Sequence, residues 1–341
     1  MEELQKKKLM WQIPFLILLI VGTVLIVRQQ QPQPYQQSSD FIFGTAYKIV
    51  YQYDKDLSKE IHEELMKVDF SLSPFNEKSV ITAVNQNREV MLDTLFLDVF
   101  NKAMEISGET DGAFDITVAP LVNAWGFGFK NESRPTPTQV DSLLKIVGYK
   151  KVKLEDNKIV KQDLRMMLDC SAIAKGYGVD VVAHYLRRMG IKNFMVEIGG
   201  EIVTSGVNPQ RLPWRVGVVK PSEDSLNVGN ELQTVLNVTD KAMATSGNYR
   251  NFYYKNGKRF AHTIDPMIGY PVQHSLLSAT VLTDECAVAD AYATSFMVMG
   301  MEKAKKLLER HPELMVYLIY DDGEGNLAVW FSPSLQDKIE E

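Results

Sequence analysis

Leu168-Asp169-Cys170-Ser171-Ala172-Ile173-Ala174-Lys175-Gly176-Tyr177-Gly178 sets an acid and a lysine on either side of a junction where an apolar run gives way to helical spacing. Backbone N–H groups at the start of a helix suit a phosphate, and a lysine ammonium adds positive charge beside it. A lone lysine in that position is more often a solvated surface residue, so the stretch needs support from the rest of the chain. Upstream of it, Phe41–Tyr53 has strand composition and Leu57–Val68 repeats apolar residues at Leu57, Ile61, Leu65 and Val68. Asp93 to Ser107 reads as a second helix stopped by Gly108, and Thr138-x-x-Asp141 as a capping box before Leu143, Leu144 and Val147. Further strands are expected at 165–168, 194–198, 214–219, 233–237, 277–282, 315–320 and 327–331. Helices are expected from Ala174 to Met189 and, after an Asp284 cap, from Glu285 to Met299. Strands and helices follow no strict βαβ alternation, which makes the fold α+β rather than a doubly wound sheet.

The chain has 341 residues, of which 45% are apolar and 23% charged, the profile of a globular protein with room for a sizeable core. Residues 41–341 carry 33 basic and 40 acidic side chains, an excess that repels a phosphate backbone and argues against nucleic acid as partner. Cys170 and Cys286 are the only cysteines, so neither a disulfide framework nor a thiolate metal site is signalled, although a disulfide between the two stays open.

The first forty residues read as a targeting device. Lys6-Lys7-Lys8 precede an apolar run over residues 9–27, whose 19 residues as a helix rise about 28 Å, close to the hydrocarbon thickness of a bilayer. No small-x-small cleavage site precedes Arg28, which favours an uncleaved anchor over a signal peptide, and no cysteine follows for lipid attachment. The lysines put residues 1–8 inside, making the protein single-pass in the cytoplasmic (inner) membrane with its working domain on the periplasmic, extracytoplasmic side. Residues 28–40, rich in Gln and Pro, read as a polar linker, and the domain is expected over 41–341.

The chain lacks H-E-x-x-H, G-x-S-x-G, G-x-x-x-x-G-K-[ST] and G-x-G-x-x-G, which removes the zinc-protease, hydrolase, nucleotide-loop and Rossmann readings. Asp290 and Thr294, four apart among small alanines, share one helical face and offer hard oxygen ligands of the kind Mg²⁺ takes. From spacing alone, a buried aspartate satisfied by backbone is the plainer alternative. His262-Thr263-Ile264-Asp265-Pro266 is the one His–Asp neighbourhood, where His262 is either a general base or a turn cap.

Thr110-Asp111-Gly112-Ala113-Phe114-Asp115 through Trp125-Gly126-Phe127-Gly128, then Asp169…Ala172…Lys175-Gly176, Glu197-x-Gly199-Gly200, Ser246-Gly247, His262-x-x-Asp265-Pro266 and Ala289-Asp290…Thr294, together resemble the ApbE family of FAD:protein FMN transferases. Phe43-Gly44-Thr45 resembles its opening strand, and Leu72-Ser73-Pro74-Phe75 with Ser79 its flavin loop. The resemblance implies a two-lobed fold of mixed or antiparallel sheets with helices. It also implies a Mg²⁺-dependent enzyme that splits FAD, transfers FMN to a Thr or Ser of a redox protein within a Ser/Thr-Gly-Ala-Ser/Thr motif, and releases AMP. A Mg²⁺-dependent FAD pyrophosphatase giving FMN and AMP, or a flavin-binding module without catalysis, are the alternatives. Carried over by motif, the metal ligands are the Ala172 carbonyl, Asp290 and Thr294. The flavin site comprises Phe43, Phe75, Ala113, Phe114, Asp115, Asp169, Lys175, Ile264 and Ala293, and the catalytic residues are His262, Asp290 and Lys175. Phe75 stands where many members have Tyr, and Cys170-Ser171 where Leu-Gly is more usual.

Overall fold

β1 (Tyr35–Ile42) and β2 (Thr45–Gln52) pair antiparallel over their whole lengths around a two-residue turn in which Phe43 and Gly44 both have positive φ, 53° and 74°. Such a turn matches the twist of the strands it joins. The computed structural model describes residues 12–23, 33–128, 135–221, 231–248, 252–255, 258–261 and 263–340. Within them, β1 and β2 start an eight-stranded sheet that continues through β5 (Phe194–Ile198), β6 (Glu201–Ser205), β9 (Ala242–Gly247), β12 (Leu276–Thr283), β13 (Met315–Asp321) and β14 (Leu327–Phe331). Every pairing in it is antiparallel. Three separate hairpins join β3 (Val152–Glu155) to β4 (Lys158–Lys161), β7 (Arg215–Val219) to β8 (Leu232–Asn237) and β10 (Phe252–Lys255) to β11 (Lys258–Ala261).

Period-two alternation assigns the two faces of the sheet. Ala244, Val281, Val316 and Leu318 face one core, shared with α4 (Thr94–Glu109), α8 (Cys286–Met299) and α9 (Met301–Leu308). Their neighbours Met243, Leu282, Tyr317 and Ile319 face a second core closed by Trp214, Val218 and Leu236 of the β7–β8 region. Near β1 and β2 the helical layer is α2 (Ser58–Leu72) with α7 (Ala174–Arg188), which bury Ile61, Leu65, Val179, Val182 and Leu186 against Ile49, Tyr51 and Phe194. α8 is buried on nearly all sides, and its alanines 287, 289, 291 and 293 let sheet and helices approach it closely.

The α+β class, the antiparallel sheet and most expected elements are present, with these differences. Residues 35–40 are strand β1 rather than linker, because a glutamine- and serine-rich segment suits a solvent-facing edge strand once a turn pairs it with β2. The capping box lies two residues earlier, with Thr136 and Gln139 at the start of α6 (Pro137–Leu144). Residues 165–168 form no strand; Asn85, at the end of α3 (Val80–Asn85), binds the Leu168 backbone through both its amide atoms. Asp284 pairs with Lys241 instead of capping α8. Both cysteines are buried free thiols. The expected apolar span is described only over residues 12–23, an exposed helical segment, α1. Among the described residues no helix is long and apolar enough to cross a membrane, and the rest of 9–27 lies outside them.

Candidate active site

α7 begins without a side-chain cap of its own: its N-cap is Ile173. The first turn of a helix leaves N–H groups that need acceptors, and here the Gly176 N–H donates to Asp290 Oδ2 of α8, 3.1 Å away. The debt is returned at the start of α8, where Asp180 of α7 accepts from the Cys286 and Ala287 N–H groups at 2.9 and 2.8 Å. Two helices thus cap each other with buried aspartates. Glycine at 176 is what lets them meet, since a Cβ there would lie 2.3 Å from the Cys286 carbonyl oxygen. Burial pushes the Asp180 carboxyl up to about 7, against the pull of its two N–H donors.

Lys175, beside this contact, lies 2.7 Å from Glu201 Oε1 and 3.6 Å from Asp290 Oδ2. The Gly199-Gly200 turn, with φ of 65° and 106°, brings Glu201 there at the first position of β6. Burial alone would lower the Lys175 ammonium, but Asp290 and Glu201 more than compensate and hold it well above the usual lysine range. Burial, reinforced by the Asp290 charge, pushes the Glu201 carboxyl up while Lys175 pulls it down. Glu201 Oε2 is buried with no hydrogen-bond partner. Two buried carboxylates against one ammonium leave an excess of negative charge, which suits a divalent cation, and Thr294 follows Asp290 one turn on, half-buried. Ala172 sits in the turn just before α7. Among the described residues no group of three or more His, Cys, Asp or Glu could hold a metal, and the expected set, with one carboxylate, a carbonyl and a hydroxyl, calls for none.

The expected flavin residues divide between accessible and internal positions. Phe43 is half-buried in the β1–β2 turn with its ring against Gly178 of α7, where a Cβ would come within 2.6 Å of it. Phe75 is 72% exposed on the loop between α2 and α3. Asp169 is half-buried, accepts from the Ser171 N–H and donates its own N–H to the Ile116 carbonyl, tying the start of α7 to the 111–116 segment. Phe114 and Ala293, by contrast, spend their side chains in the core, at 3% and 0% exposed. Ile264, on the neighbouring loop, packs with Leu121, Trp125 and Val140. Asp115 accepts from the Thr117 N–H and hydroxyl and the Tyr149 N–H, so its oxygens close the local turn and tie it to the segment at Tyr149. These internal side chains support the wall of a ligand site rather than offering contacts to it. Ala113, also buried, lies between them and Gly112, above which stands the Met267 sulfur. His262 lies outside the described residues; its neighbour Thr263 is held by a 2.6 Å bond to Asn248.

Glu201 and Asp180 were not foreseen as site residues. The available signal for Glu201 was an acid opening an apolar strand immediately after Gly199-Gly200. A cleft of about 580 Å³ between β1 and α2, lined in part by Ser38, Asp40, Tyr47 and His62, shares no residue with the Lys175 cluster and brings none of the expected chemistry together.

Comparison with known proteins fits this geometry. The model of the ApbE family matches residues 43–318. The chain is 37% identical over 329 residues to the FAD:protein FMN transferase of Vibrio cholerae serotype O1, covering 93% of this chain and 97% of that one. It is 38% identical over 299 residues to the FAD:protein FMN transferase of Haemophilus influenzae, covering 83% and 85%. The solved structure of the flavin transferase ApbE from Vibrio cholerae superposes with a TM-score of 0.80 at 36% identity, over 90% of this chain and all of that one.

Proposed function

The chain belongs to the ApbE family, and from that premise we propose that it is an FAD:protein FMN transferase. It splits the pyrophosphate of FAD, joins FMN through a phosphoester to a Thr or Ser of an acceptor redox protein, and releases AMP. The observation that carries the reading is the Lys175 ammonium held between the buried carboxylates of Glu201 and Asp290 at the N-terminal turn of α7, a cluster whose excess of negative charge suits the divalent cation that would face the phosphates of FAD. The acceptor oxygen attacks the FMN phosphorus, the bond from that phosphorus to the bridging oxygen breaks, and AMP leaves with the bridging oxygen. His262 takes the hydroxyl proton or orients the hydroxyl, imidazole being the side chain best suited to accept a proton near neutral pH. Lys175 offsets charge on the phosphates. Mg²⁺ would be held by the Ala172 carbonyl, Asp290 and Thr294, and would supply further charge stabilisation at the phosphoryl oxygens. Phe43 and Phe75 offer ring faces to the flavin.

The test is incubation of the protein with FAD, Mg²⁺ and an acceptor bearing a Ser/Thr-Gly-Ala-Ser/Thr motif, followed by intact mass spectrometry. The expected result is an acceptor heavier by one FMN, with the gain abolished by EDTA. Free FMN and AMP with unmodified acceptor would make water the acceptor, and unchanged FAD would leave a binding module.

The reading extends to location: residues 9–27 anchor the chain in the cytoplasmic membrane with the domain on the extracytoplasmic side. It is supported by Lys6-Lys7-Lys8 ahead of the run and by the exposed Ile13, Phe15, Leu18 and Ile20 of α1. Alkaline phosphatase fused after Glu341 is expected to be active; an inactive but intact fusion would reverse the topology.

A further inference from the structure

Lys175 has two carboxylates within reach but makes its short contact with the one that is not an expected metal ligand. The distances are 2.7 Å to Glu201 and 3.6 Å to Asp290. Glu201 is 3% exposed and keeps Oε2 buried without a hydrogen-bond donor, an unfavourable arrangement for a carboxylate. The sheet itself has no use for an acid there: Ile202, Val203 and Thr204, which follow it in β6, are all buried. Its neighbourhood is also fixed, because the Gly199-Gly200 turn leads straight into it and a Cβ at Gly199 would lie 2.8 Å from Thr45.

We propose that Glu201 is a positioning residue that draws the Lys175 ammonium off Asp290 and so keeps the Asp290 carboxylate open to a divalent cation. This rests on the reading of Asp290 as a metal ligand. With Glu201 neutralised, the nearest anion to the ammonium is Asp290, and a side chain with four rotatable carbons closes the remaining distance to a direct ion pair. The arriving cation then has to displace that ammonium and meets its full repulsion. With Glu201 in place, the ammonium stays paired elsewhere and its charge is partly cancelled.

The test uses the full chain and Mn²⁺ as probe, free Mn²⁺ being read by electron paramagnetic resonance, with thermal melting to confirm that each variant is folded. Glu201→Gln is expected to weaken Mn²⁺ binding about tenfold, equivalent to about 1.4 kcal/mol. Glu201→Gln with Lys175→Met is expected to return to within about threefold of wild type, since the competitor is gone. Lys175→Met alone is expected to bind at least as tightly as wild type. Unchanged affinity in folded Glu201→Gln, or a double variant as weak as the single, overturns the proposal. Should Glu201→Gln fail to fold, Lys175→Met decides, because weaker binding there means that the ammonium does not compete. Wild-type protein that takes no Mn²⁺, or takes it equally well after Asp290→Ala, overturns the ligand assignment and this proposal with it, whereas the preceding outcomes overturn the proposal alone.

Discussion

Asp290→Ala is expected to reduce FMN transfer at saturating Mg²⁺ by about 10³-fold, because the charge stabilisation that a bound metal contributes to phosphoryl chemistry is worth several kcal/mol and each 1.36 kcal/mol is a factor of ten. The same change leaves the Gly176 N–H without its acceptor inside the protein, a loss of about 1–3 kcal/mol in stability. Two effects therefore overlap in one variant, and Asp290→Asn separates them. An amide oxygen still accepts from Gly176 but brings no charge to a cation, so Asp290→Asn should melt close to wild type and remain almost as inactive as Asp290→Ala. Transfer rates from intact mass spectrometry together with melting curves read both. Wild-type transfer by Asp290→Ala would remove the residue from the site.

The second large effect is expected from the smallest substitution. Gly176→Ala adds one methyl group whose nearest neighbours are backbone atoms: the Cys286 oxygen at 2.3 Å, its carbonyl carbon at 2.6 Å and the Ala287 Cα at 2.9 Å. None of these can turn aside as a side chain does, so α7 and α8 must separate, stretching the Asp290 bond to Gly176 and the Asp180 bonds to the start of α8. Overpacking ordinarily costs about 1–3 kcal/mol; with two buried caps disturbed as well, a loss of about 3 kcal/mol or more is expected, along with at least a tenfold loss of transfer in whatever remains folded. Alanine's better helix propensity, worth about 1 kcal/mol over glycine, does not offset this. Gly108 in α4 provides the contrast, since a Cβ there meets nothing within 4 Å. Gly108→Ala should raise the melting temperature. If Gly176→Ala and Gly108→Ala shift it in the same direction, the close approach of the two helices is wrong.

Much of this was readable in the sequence where a local rule acts alone. The Asp93 cap of α4 and the alternation of Phe194–Ile198 follow from capping and period-two burial and stand as expected, and the helix expected from Ala174 to Met189 is found as Ala174–Arg188 with Met189 as its C-cap. The pairing of Asp290 with the Lys175 region was legible only through the resemblance, since neither residue's spacing says what it touches. The mutual capping of α7 and α8 was not legible at all, because Asp180 reads as one more polar residue on an amphipathic helix until the start of α8 is brought to it. β1 was missed for a related reason: Gln and Ser say little about strand structure until the turn at Phe43 and Gly44 supplies a partner. Glu201 lay one residue past the quoted glycine motif, in a strand whose central position in the sheet depends on pairings with segments far along the chain.

The order of strands across the sheet also governs when the site can exist. The fifth and sixth strands in that order, β9 and β12, come from residues 242–283, long after the four strands on one side of them. Lys175 stands about halfway along the chain, and its neighbour Gly176 waits a further 114 positions for Asp290. A growing chain that ends before β9 therefore holds β1, β2, β5 and β6 with no strand to pair with the far edge of β6, and one that ends before Asp290 lacks one carboxylate of the charge cluster. Long-range antiparallel pairings of this kind close slowly and leave unpaired edges in the interval. Until α8 has been added, the growing chain carries Lys175 and Glu201 without the Asp290 carboxylate that completes their cluster.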